Sequence, residues 1–268
     1  MANSTSEEVQ LSYPSEGILV VTINRPFRKN AVDAETATKL YSTLLAFEDN
    51  ESLRVCILHG NGGTFCAGYD LHSIGQSQGS LSAGPVDGRN QGPMGPSRLQ
   101  VKKPVIAAVS GYAVAGGLEL SLLADMRVVE EDAIFGVFCR RWGVPLIDGG
   151  TVRLQAIIGL GRALDMILTG RPVDAQEALA MGLANRVVAK GTSLDESLKL
   201  AKQLLAFPQT CMLADRASCY NAAYNATSFE NALAFEFDGG VKAVQTEGVK
   251  GAAQFSSGAG RHGSYEKL

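Results

Sequence analysis

The chain has 268 residues, 46% of them hydrophobic and 19% charged, and a formal net charge of −3. This composition is typical of a globular protein with a large core, and the slight acidic excess argues against a nucleic-acid partner. No apolar run approaches the roughly 20 residues that a membrane-spanning helix needs, so we expect no membrane partner.

The amino-terminal half alternates predicted strands with helices. Residues 18–23 are rich in β-branched side chains, which is typical of a strand. Asp33 is a plausible cap for a helix in which apolar residues recur at helical spacing. Further strands are predicted at residues 54–59, 105–110, 126–130 and 133–136. This alternation predicts an α/β fold.

A stretch between the second and third predicted strands has a different composition. Residues 75–97 contain many Gly, Ser and Pro residues and show no apolar period. Such a pattern predicts a mobile loop or a disordered insert. The segment is interpreted either as a passive surface loop or as a lid over a neighbouring pocket.

Two glycine-containing segments, residues 60–71 and 109–119, each follow a predicted strand. The second carries Gly116, Gly117 and Glu119 at the start of a predicted helix. Unpaired N–H groups and the helix dipole favour negative charge at such a start. Two amides converging on one oxygen would form an oxyanion hole. A glycine pair also marks turns or close packing of a strand against a helix.

From Gly149 onward the pattern becomes helical. We predict a core at residues 1–192 and a helical region at residues 193–268. One helix begins at a capping box of Asp174 and Glu177, and Gly159 and Gly161 are expected to break another apolar stretch. The remaining helices are predicted at residues 151–158, 162–169, 193–205, 210–223, 228–246 and 247–255.

The five cysteines and the first residues of the chain bear on its location. The cysteine spacing fits neither a disulfide framework nor a metal site, which predicts reduced thiols inside a cell. The first eight residues contain acids and no arginine, unlike a signal or transit peptide. We expect a cytoplasmic protein, with mitochondrial and peroxisomal locations left open.

In order and spacing, these segments resemble the crotonase family, also called the enoyl-CoA hydratase/isomerase superfamily. The resemblance implies a spiral of strand-strand-helix units and a carboxyl-terminal helical region that builds a homotrimer, often paired into a hexamer. It also implies an acyl-CoA thioester substrate, a place in fatty acid metabolism and no cofactor, since coenzyme A is part of the substrate. The matching residues are 23–26, 30–31, 65–68, 115–119, 124–127, 135–136, 149–151, 168–171 and 182–184.

The resemblance also implies the roles of single residues. Backbone N–H groups of Tyr69 and Gly116 would form the oxyanion hole, and Glu119 would bind and activate the water that adds to the β-carbon. Burial in its apolar stretch would raise the pKa of Glu119 toward the working range of an acid or base, although such a glutamate also stabilises a helix dipole. Coenzyme A would lie across Arg25, Lys29, Ala31, Ala67, Gly68 and Leu71. Lys29 or Arg25 would pair with its phosphates, although lone basic residues are usually solvated at the surface.

The sequence departs from the family at the second catalytic glutamate. That position falls on Cys139, a poor proton donor to carbon that is otherwise a small buried filler. Asp148 is the candidate replacement, because its position matches an acidic residue that acts as a base or nucleophile in dienoyl-CoA isomerases and aryl-CoA dehalogenases. Asp148 also precedes a predicted helix, so it could equally be a helix cap.

The expected function is hydration of 2-enoyl-CoA thioesters through an enolate that the oxyanion hole stabilises. A double-bond isomerase is the nearest alternative within the family, followed by a hydrolase or a decarboxylase. A non-catalytic relative that binds CoA or RNA is the alternative of another class. The acidic composition argues against RNA, and the presence of both oxyanion segments argues against lost catalysis. Acyl-chain length and pathway stay open.

Overall fold

A computed structural model of the protein describes residues 7–72 and 83–258. The chain divides into two compact units, Met1–Ala201 and Lys202–Leu268. The division falls inside a helix that spans Ser193–Ala206, and the boundary predicted between residues 192 and 193 lies at the start of that helix.

The first unit contains two sheets. Its strands are β1 (Val9–Ser12), β2 (Gly17–Ile23), β3 (Leu53–Gly60), β4 (Val105–Val109), β5 (Tyr112–Val114), β6 (Met126–Glu130), β7 (Ile134–Gly136), β8 (Val173–Asp174) and β9 (Arg186–Val188). One sheet has the order β1-β2-β3-β4-β6-β9, and the other has the order β5-β7-β8. Pairing is parallel except between β1 and β2 and between β7 and β8. The α/β class predicted from the alternation of elements is confirmed.

The strands listed above all lie in the first unit, whereas helices occur in both units. They are α1 (Ala34–Asp49), α2 (Gly116–Leu123), α3 (Gly150–Ile158), α4 (Leu160–Thr169), α5 (Ala175–Ala180), α6 (Ser193–Ala206), α7 (Gln209–Tyr224), α8 (Phe229–Ala243) and α9 (Val249–Ser256). Short 3-10 helices lie at Pro26–Arg28, Pro96–Arg98 and Phe138–Trp142. In the second unit α7 packs against α8. Within residues 7–72 and 83–258, no helix has the length and apolar character needed to cross a membrane.

The sequence signals act as expected at several helix ends. The Asp33 carboxylate accepts a hydrogen bond from the N–H of Thr36, and Asp174 does the same for Glu177, so both predicted caps are confirmed. Gly159 separates α3 from α4 with a φ of 82°. Gly161, which was also expected to break a helix, lies inside α4.

The core positions the site through the parallel strands of the larger sheet. All five residues of β4 are buried, as is typical of a parallel strand that is covered on both faces. The chain leaves β3 and β4 at the same edge of the sheet because these strands are parallel neighbours. Both glycine-containing segments therefore begin at the same edge.

Candidate active site

The two glycine-containing segments lie side by side. The N–H of Cys66 donates to the carbonyl of Tyr112 at 2.9 Å, and the N–H of Val114 donates to the carbonyl of Cys66 at 3.1 Å. On the other side, the N–H of Val32 donates to the carbonyl of Gly68 at 2.8 Å. The segment that carries Tyr69 is thus held between β5 and the loop that precedes α1.

Glycines allow the close approach of these segments. A Cβ atom on Gly68 would lie 3.0 Å from the backbone nitrogen of Gly116. A Cβ atom on Gly117 would lie 1.9 Å from the carbonyl oxygen of Cys66, where no side chain fits. The backbone that leads into Tyr69 therefore lies beside the start of α2. An oxyanion hole built from the N–H groups of Tyr69 and Gly116 needs these two stretches of backbone to be close.

The start of α2 has an unusual backbone. Ala115 is the N-cap residue, with φ 54° and ψ −126°, a conformation that costs a residue with a side chain roughly 1–3 kcal/mol. It is held by a 2.9 Å hydrogen bond from its N–H to the carbonyl of Gly136. Gly116 is the first helical residue, so its N–H has no acceptor inside the helix. Strained backbone beside such a donor is typical of functional sites.

Glu119 is buried one turn further along α2. Only 2% of the residue is exposed, and its Oε1 accepts hydrogen bonds from the N–H groups of Asp148 at 2.9 Å and Gly150 at 2.8 Å. Burial, followed by the charge of Asp148, raises the pKa of Glu119 to about 7, although these two hydrogen bonds oppose the rise. A carboxyl group with this pKa is suited to proton transfer near neutral pH.

Asp148 is buried beside Glu119 and does not cap a helix. The N-cap of α3 is Gly149, and Glu119 supplies the carboxylate at that helix start. The Oδ1 atom of Asp148 instead accepts hydrogen bonds from the N–H of Met94 at 2.9 Å and from the hydroxyl of Ser97. Burial raises the pKa of Asp148, and the contacts with Ser97 and Met94 limit that rise. The helix-cap interpretation of Asp148 is therefore wrong.

Cys139 lies at the cavity that Glu119 and Asp148 share. It is 7% exposed, and burial followed by the charge of Glu119 raises the pKa of its thiol. The thiol is therefore neutral near pH 7. The position predicted for a second glutamate is thus close to the first one, but it carries a group that is unsuited to protonating carbon.

These groups open onto an apolar cavity of about 130 Å³. Two acidic residues, Glu119 and Asp148, are surrounded there by apolar and aromatic side chains. The lining residues are Ala67, Tyr69, Leu71, Pro93, Met94, Ala115, Gly116, Glu119, Phe138, Cys139, Trp142, Val144, Pro145, Ile147 and Asp148. A concave apolar surface with a few polar groups is the usual form of a small-molecule site.

The segment at residues 75–97 is described from residue 83 onward, and residues 75–82 lie outside the described part. The carboxylate of Glu48 accepts from the guanidinium of Arg89, whose carbonyl accepts from the hydroxyl of Tyr41 at 2.9 Å. Pro93 and Met94 line the cavity. The expectation of a passive surface loop is wrong for residues 92–97, which are buried and include two cavity-lining residues, whereas residues 84–89 are exposed. The expectation of a mobile or disordered segment stays a prediction.

Arg25 is buried rather than open to a ligand. It is 6% exposed, and its guanidinium bonds Asp33 at 2.7 Å, Asp70 at 3.3 Å and the carbonyl of Ala31. Glu8 lies 3.4 Å from Nε. The expectation that Arg25 pairs with a phosphate does not fit these contacts. Arg25 instead fixes the loop before α1.

Lys29 and its neighbours have the exposure that a ligand contact needs. Lys29 is exposed and its Nζ lies 5.2 Å from the ring centroid of Tyr112, while its carbonyl accepts from the N–H of Ala67 at 3.0 Å. Leu71 is 43% exposed at the cavity. Ala31 is buried. Lys29, Ala67 and Leu71 remain candidate CoA contacts.

Asn30 is a residue of this loop that sequence reasoning missed. It is fully buried with a φ of 56°, and its Oδ1 accepts from the N–H of Arg25 at 2.8 Å. Its Nδ2 donates to the carbonyls of Asn61 at 2.8 Å and Thr64 at 2.6 Å. Asn tolerates the left-handed region better than most residues, which was the one signal available in the sequence.

Replacing Arg25 by alanine is expected to lower the free energy of unfolding by roughly 3 kcal/mol, the lower end of the range for breaking a buried ion pair. The change leaves the buried Asp70 and the partly exposed Asp33 without a counter-charge. Urea denaturation followed by circular dichroism measures this loss. Arg171→Ala is the control, since Arg171 pairs with Asp165 and Glu177 at the surface and such pairs contribute about 1 kcal/mol or less. Equal losses in the two variants would contradict the assignment of Arg25 as a buried clamp.

No group of three His, Cys, Asp or Glu side chains suited to a metal ion occurs among residues 7–72 and 83–258. The three histidines were given no role from the sequence. His59, one of them, is largely buried, and burial lowers its pKa. The expectation that no cofactor is needed stays a prediction.

Comparison with known proteins gives consistent matches. A family model described as enoyl-CoA hydratase/isomerase matches residues 14–259. Enoyl-CoA hydratase EchA19 of Mycobacterium tuberculosis is 38% identical over 195 residues, which cover 70% of this chain and 71% of that protein. Carnitinyl-CoA dehydratase of Citrobacter koseri is 38% identical over 193 residues, with the same coverage of both chains.

Solved structures are similar over almost the whole chain. A crystal structure of an enoyl-CoA hydratase from Mycobacterium tuberculosis H37Rv matches with a TM-score of 0.84 and 33% identity, covering 93% of this chain and 96% of that one. An enoyl-CoA hydratase from Bacillus anthracis matches with a TM-score of 0.82 and 26% identity, covering 94% and 96%.

Proposed function

Because this chain belongs to the enoyl-CoA hydratase/isomerase family, the crotonase superfamily, we propose that it adds water across the double bond of 2-enoyl-CoA thioesters. The chain is a crotonase-type acyl-CoA enzyme with the family's fold. The observation that carries the proposed reaction is the buried carboxyl of Glu119, which lies with Asp148 and the start of α2 at one apolar cavity.

The proposed oxyanion hole consists of the N–H groups of Tyr69 and Gly116. Attack at the β-carbon moves negative charge onto the thioester oxygen, and two amides directed at that oxygen lower the barrier. The 3.0 Å between a Cβ built on Gly68 and the nitrogen of Gly116 supports this pairing. So does the cavity, whose wall includes Tyr69 and Gly116.

In the proposed first step, ionised Glu119 takes a proton from water while the water oxygen bonds to the β-carbon. The electron pair of the double bond moves to the thioester oxygen and forms an enolate. In the second step, protonated Glu119 gives that proton to the α-carbon and the carbonyl forms again. One carboxyl group thus carries the proton in both steps, which accounts for a site that has Cys139 in place of a second glutamate.

The proposed part of Asp148 is electrostatic. Its negative charge lies close enough to disfavour a second charge on Glu119, so it makes Glu119 more basic. The basicity of Glu119 matters because a base with a pKa near the working pH combines a useful ionised fraction with adequate strength.

The rate of hydration is expected to rise with pH through a midpoint of about 7, the pKa to which burial and Asp148 raise Glu119. Below this value Glu119 is protonated and is too weak a base to take a proton from water, and above it the carboxylate is available as the base. The measurement is kcat/KM for crotonyl-CoA across this range. A rate that is flat or that falls through the midpoint would count against Glu119 as the base.

Product identification separates hydration from the alternatives. Crotonyl-CoA and a 3-enoyl-CoA are incubated with the protein. The products are separated by liquid chromatography against standards, because double-bond isomers have equal mass, and are then identified by mass spectrometry. Gain of one water by crotonyl-CoA supports the proposal. Conversion of the 3-enoyl-CoA alone favours the isomerase. It is the second candidate because isomerisation, like the proposed hydration, can use the single carboxyl group of Glu119 beside the neutral thiol of Cys139. A panel of thioesters then defines the acyl-chain preference.

The assembly and location are also proposals. The family resemblance suggests a homotrimer or hexamer in fatty acid metabolism, and the second unit exposes Phe229, Phe235 and Phe237, which such an assembly could cover. Lys29, Ala67, Gly68 and Leu71 are the proposed CoA contacts, and no cofactor is proposed besides the CoA of the substrate. A cytoplasmic location rests on the cysteine pattern, and Cys56, Cys66, Cys139, Cys211 and Cys219 are free thiols.

A further inference from the structure

A tight turn contacts Asp148 from behind the cavity wall. Gly92 and Gly95 exchange two backbone hydrogen bonds, each of 2.9 Å, which places Pro93 and Met94 at the tip of the turn. From this turn the N–H of Met94 and the hydroxyl of Ser97 both donate to the Oδ1 atom of Asp148. The turn thus saturates one oxygen of the carboxylate.

The hydroxyl of Ser97 is fixed in this position. Ser97 is 1% exposed, and its carbonyl accepts a hydrogen bond of 2.7 Å from Nη1 of Arg153. A Cβ atom on Gly92 would lie 2.2 Å from the hydroxyl oxygen and 2.8 Å from Oδ1 of Asp148. Only glycine at position 92 leaves room for the bond between Ser97 and Asp148.

We propose that Ser97 is a positioning residue that keeps Asp148 ionised beside Glu119, so that Glu119 stays basic enough to take a proton from water. Ser97 is not one of the cavity-lining residues and acts through Asp148. The inference rests on the proposed hydration for its consequence in catalysis. The effect of Ser97 on the ionisation of Asp148 and Glu119 does not depend on which reaction the protein catalyses.

The charges around Asp148 support this role. Glu119 on α2 faces it with a like charge, whereas Arg98 and Arg153 favour its ionised form. Cys139, which also lines the cavity, is a neutral thiol, and the phenol of Tyr69 lies in the same lining. Hydrogen bonds donated to a carboxylate stabilise the charged form. Without the hydroxyl, Asp148 takes up a proton more readily and its repulsion of Glu119 weakens.

The experiment compares the wild type with Ser97→Ala. NMR of protein labelled at the side-chain carboxyl carbons follows the titration of Glu119, whose midpoint is expected to move to lower pH in the variant. In the variant, the pH profile of crotonyl-CoA hydration is expected to move in the same direction. Its hydration rate is expected to fall roughly tenfold or more, the factor that corresponds to losing a hydrogen bond to a charged group. Ser97→Thr, which keeps the hydroxyl, restores the midpoint.

Ser193→Ala is the matched control. Ser193 is buried like Ser97, and its hydroxyl donates to the buried carboxylate of Glu130 at 2.8 Å, away from the cavity lining. This variant should leave the Glu119 midpoint unchanged. Gly92→Ala, in which the added methyl group displaces the hydroxyl, should shift the midpoint as Ser97→Ala does.

An unmoved midpoint in Ser97→Ala, or an equal shift in Ser193→Ala, overturns the proposal. The NMR titration needs no turnover, so it decides the role of Ser97 whether or not any thioester is converted. Suppose that the wild-type protein hydrates no thioester but the Glu119 midpoint is shifted in Ser97→Ala. The proposed function would then be rejected, and the electrostatic role of Ser97 would stand.

Discussion

Replacement of Glu119 by glutamine should lower kcat for crotonyl-CoA hydration about 10³-fold, within the range of 10² to 10⁴ that general acid–base catalysis contributes. An amide cannot take the proton of water at neutral pH. Its oxygen can still accept the hydrogen bonds that Oε1 of Glu119 receives from Asp148 and Gly150, so the start of α3 is preserved. Steady-state kinetics with circular dichroism as a check on folding measure the effect.

Glu130→Gln is the matched control for this variant. Glu130 is also buried, at 5% exposed, and it bonds the hydroxyl of Ser193 outside the cavity lining. We expect its kcat to stay close to that of the wild type. A folded Glu119→Gln enzyme with full activity would refute the assignment of Glu119 as the proton carrier. A loss of kcat of the same size in Glu130→Gln would mean that replacing any buried carboxylate lowers activity by disturbing the fold.

The second large effect is expected at Gly116. Gly116→Pro removes the N–H group proposed as an oxyanion donor, and loss of one such donor costs about 10² to 10³ in kcat. Proline is tolerated at the first position of a helix, where the N–H has no intrahelical acceptor, so α2 should still form. The measurement is kcat for crotonyl-CoA relative to Gly116→Ala.

Gly116→Ala isolates the contribution of the N–H group. Both variants place a Cβ atom 2.6 Å from the sulfur of Met94, a contact that the flexible end of Met94 can relieve, but only alanine keeps the donor. The ratio of the two rates therefore cancels the crowding that the Cβ atom causes. What remains is the loss of the N–H group together with the effect of the proline ring on the preceding residue. Equal rates would exclude the amide of Gly116 from the oxyanion hole.

Sequence patterns predicted correctly those features that depend on a few neighbouring residues. The caps at Asp33 and Asp174 and the buried strand β4 were predicted from short windows, because capping and periodicity are local properties. The strands β1, β5, β8 and β9 were not predicted, and each has four residues or fewer, so that its pattern is short. The strand β7 is equally short, but it was predicted.

Short sequence patterns could not predict hydrogen bonds and ion pairs between residues that are far apart in the chain. Arg25 was interpreted as a phosphate contact because nothing near it in the chain indicates burial against Asp70, which is 45 residues away. Asp148 was interpreted as a helix cap or a catalytic acid. Its bond to Ser97, across 51 residues, excludes the cap and could not be predicted from a glycine- and proline-rich segment without an apolar period.

The sequence by itself determined the fold class, because hydrophobic periodicity is a local property of the chain. The order and spacing of its motifs resembled the crotonase family, and that resemblance implied Glu119, Gly116 and Tyr69 as candidates. Only the tertiary structure decided how the acids interact. Glu119 and Asp148 are separated by 29 residues. The pKa of Glu119 depends on burial and on the charge of Asp148, and the pKa of Asp148 depends on burial and on its hydrogen bond from Ser97. Those quantities depend on distance in space, which exists only once the chain has folded.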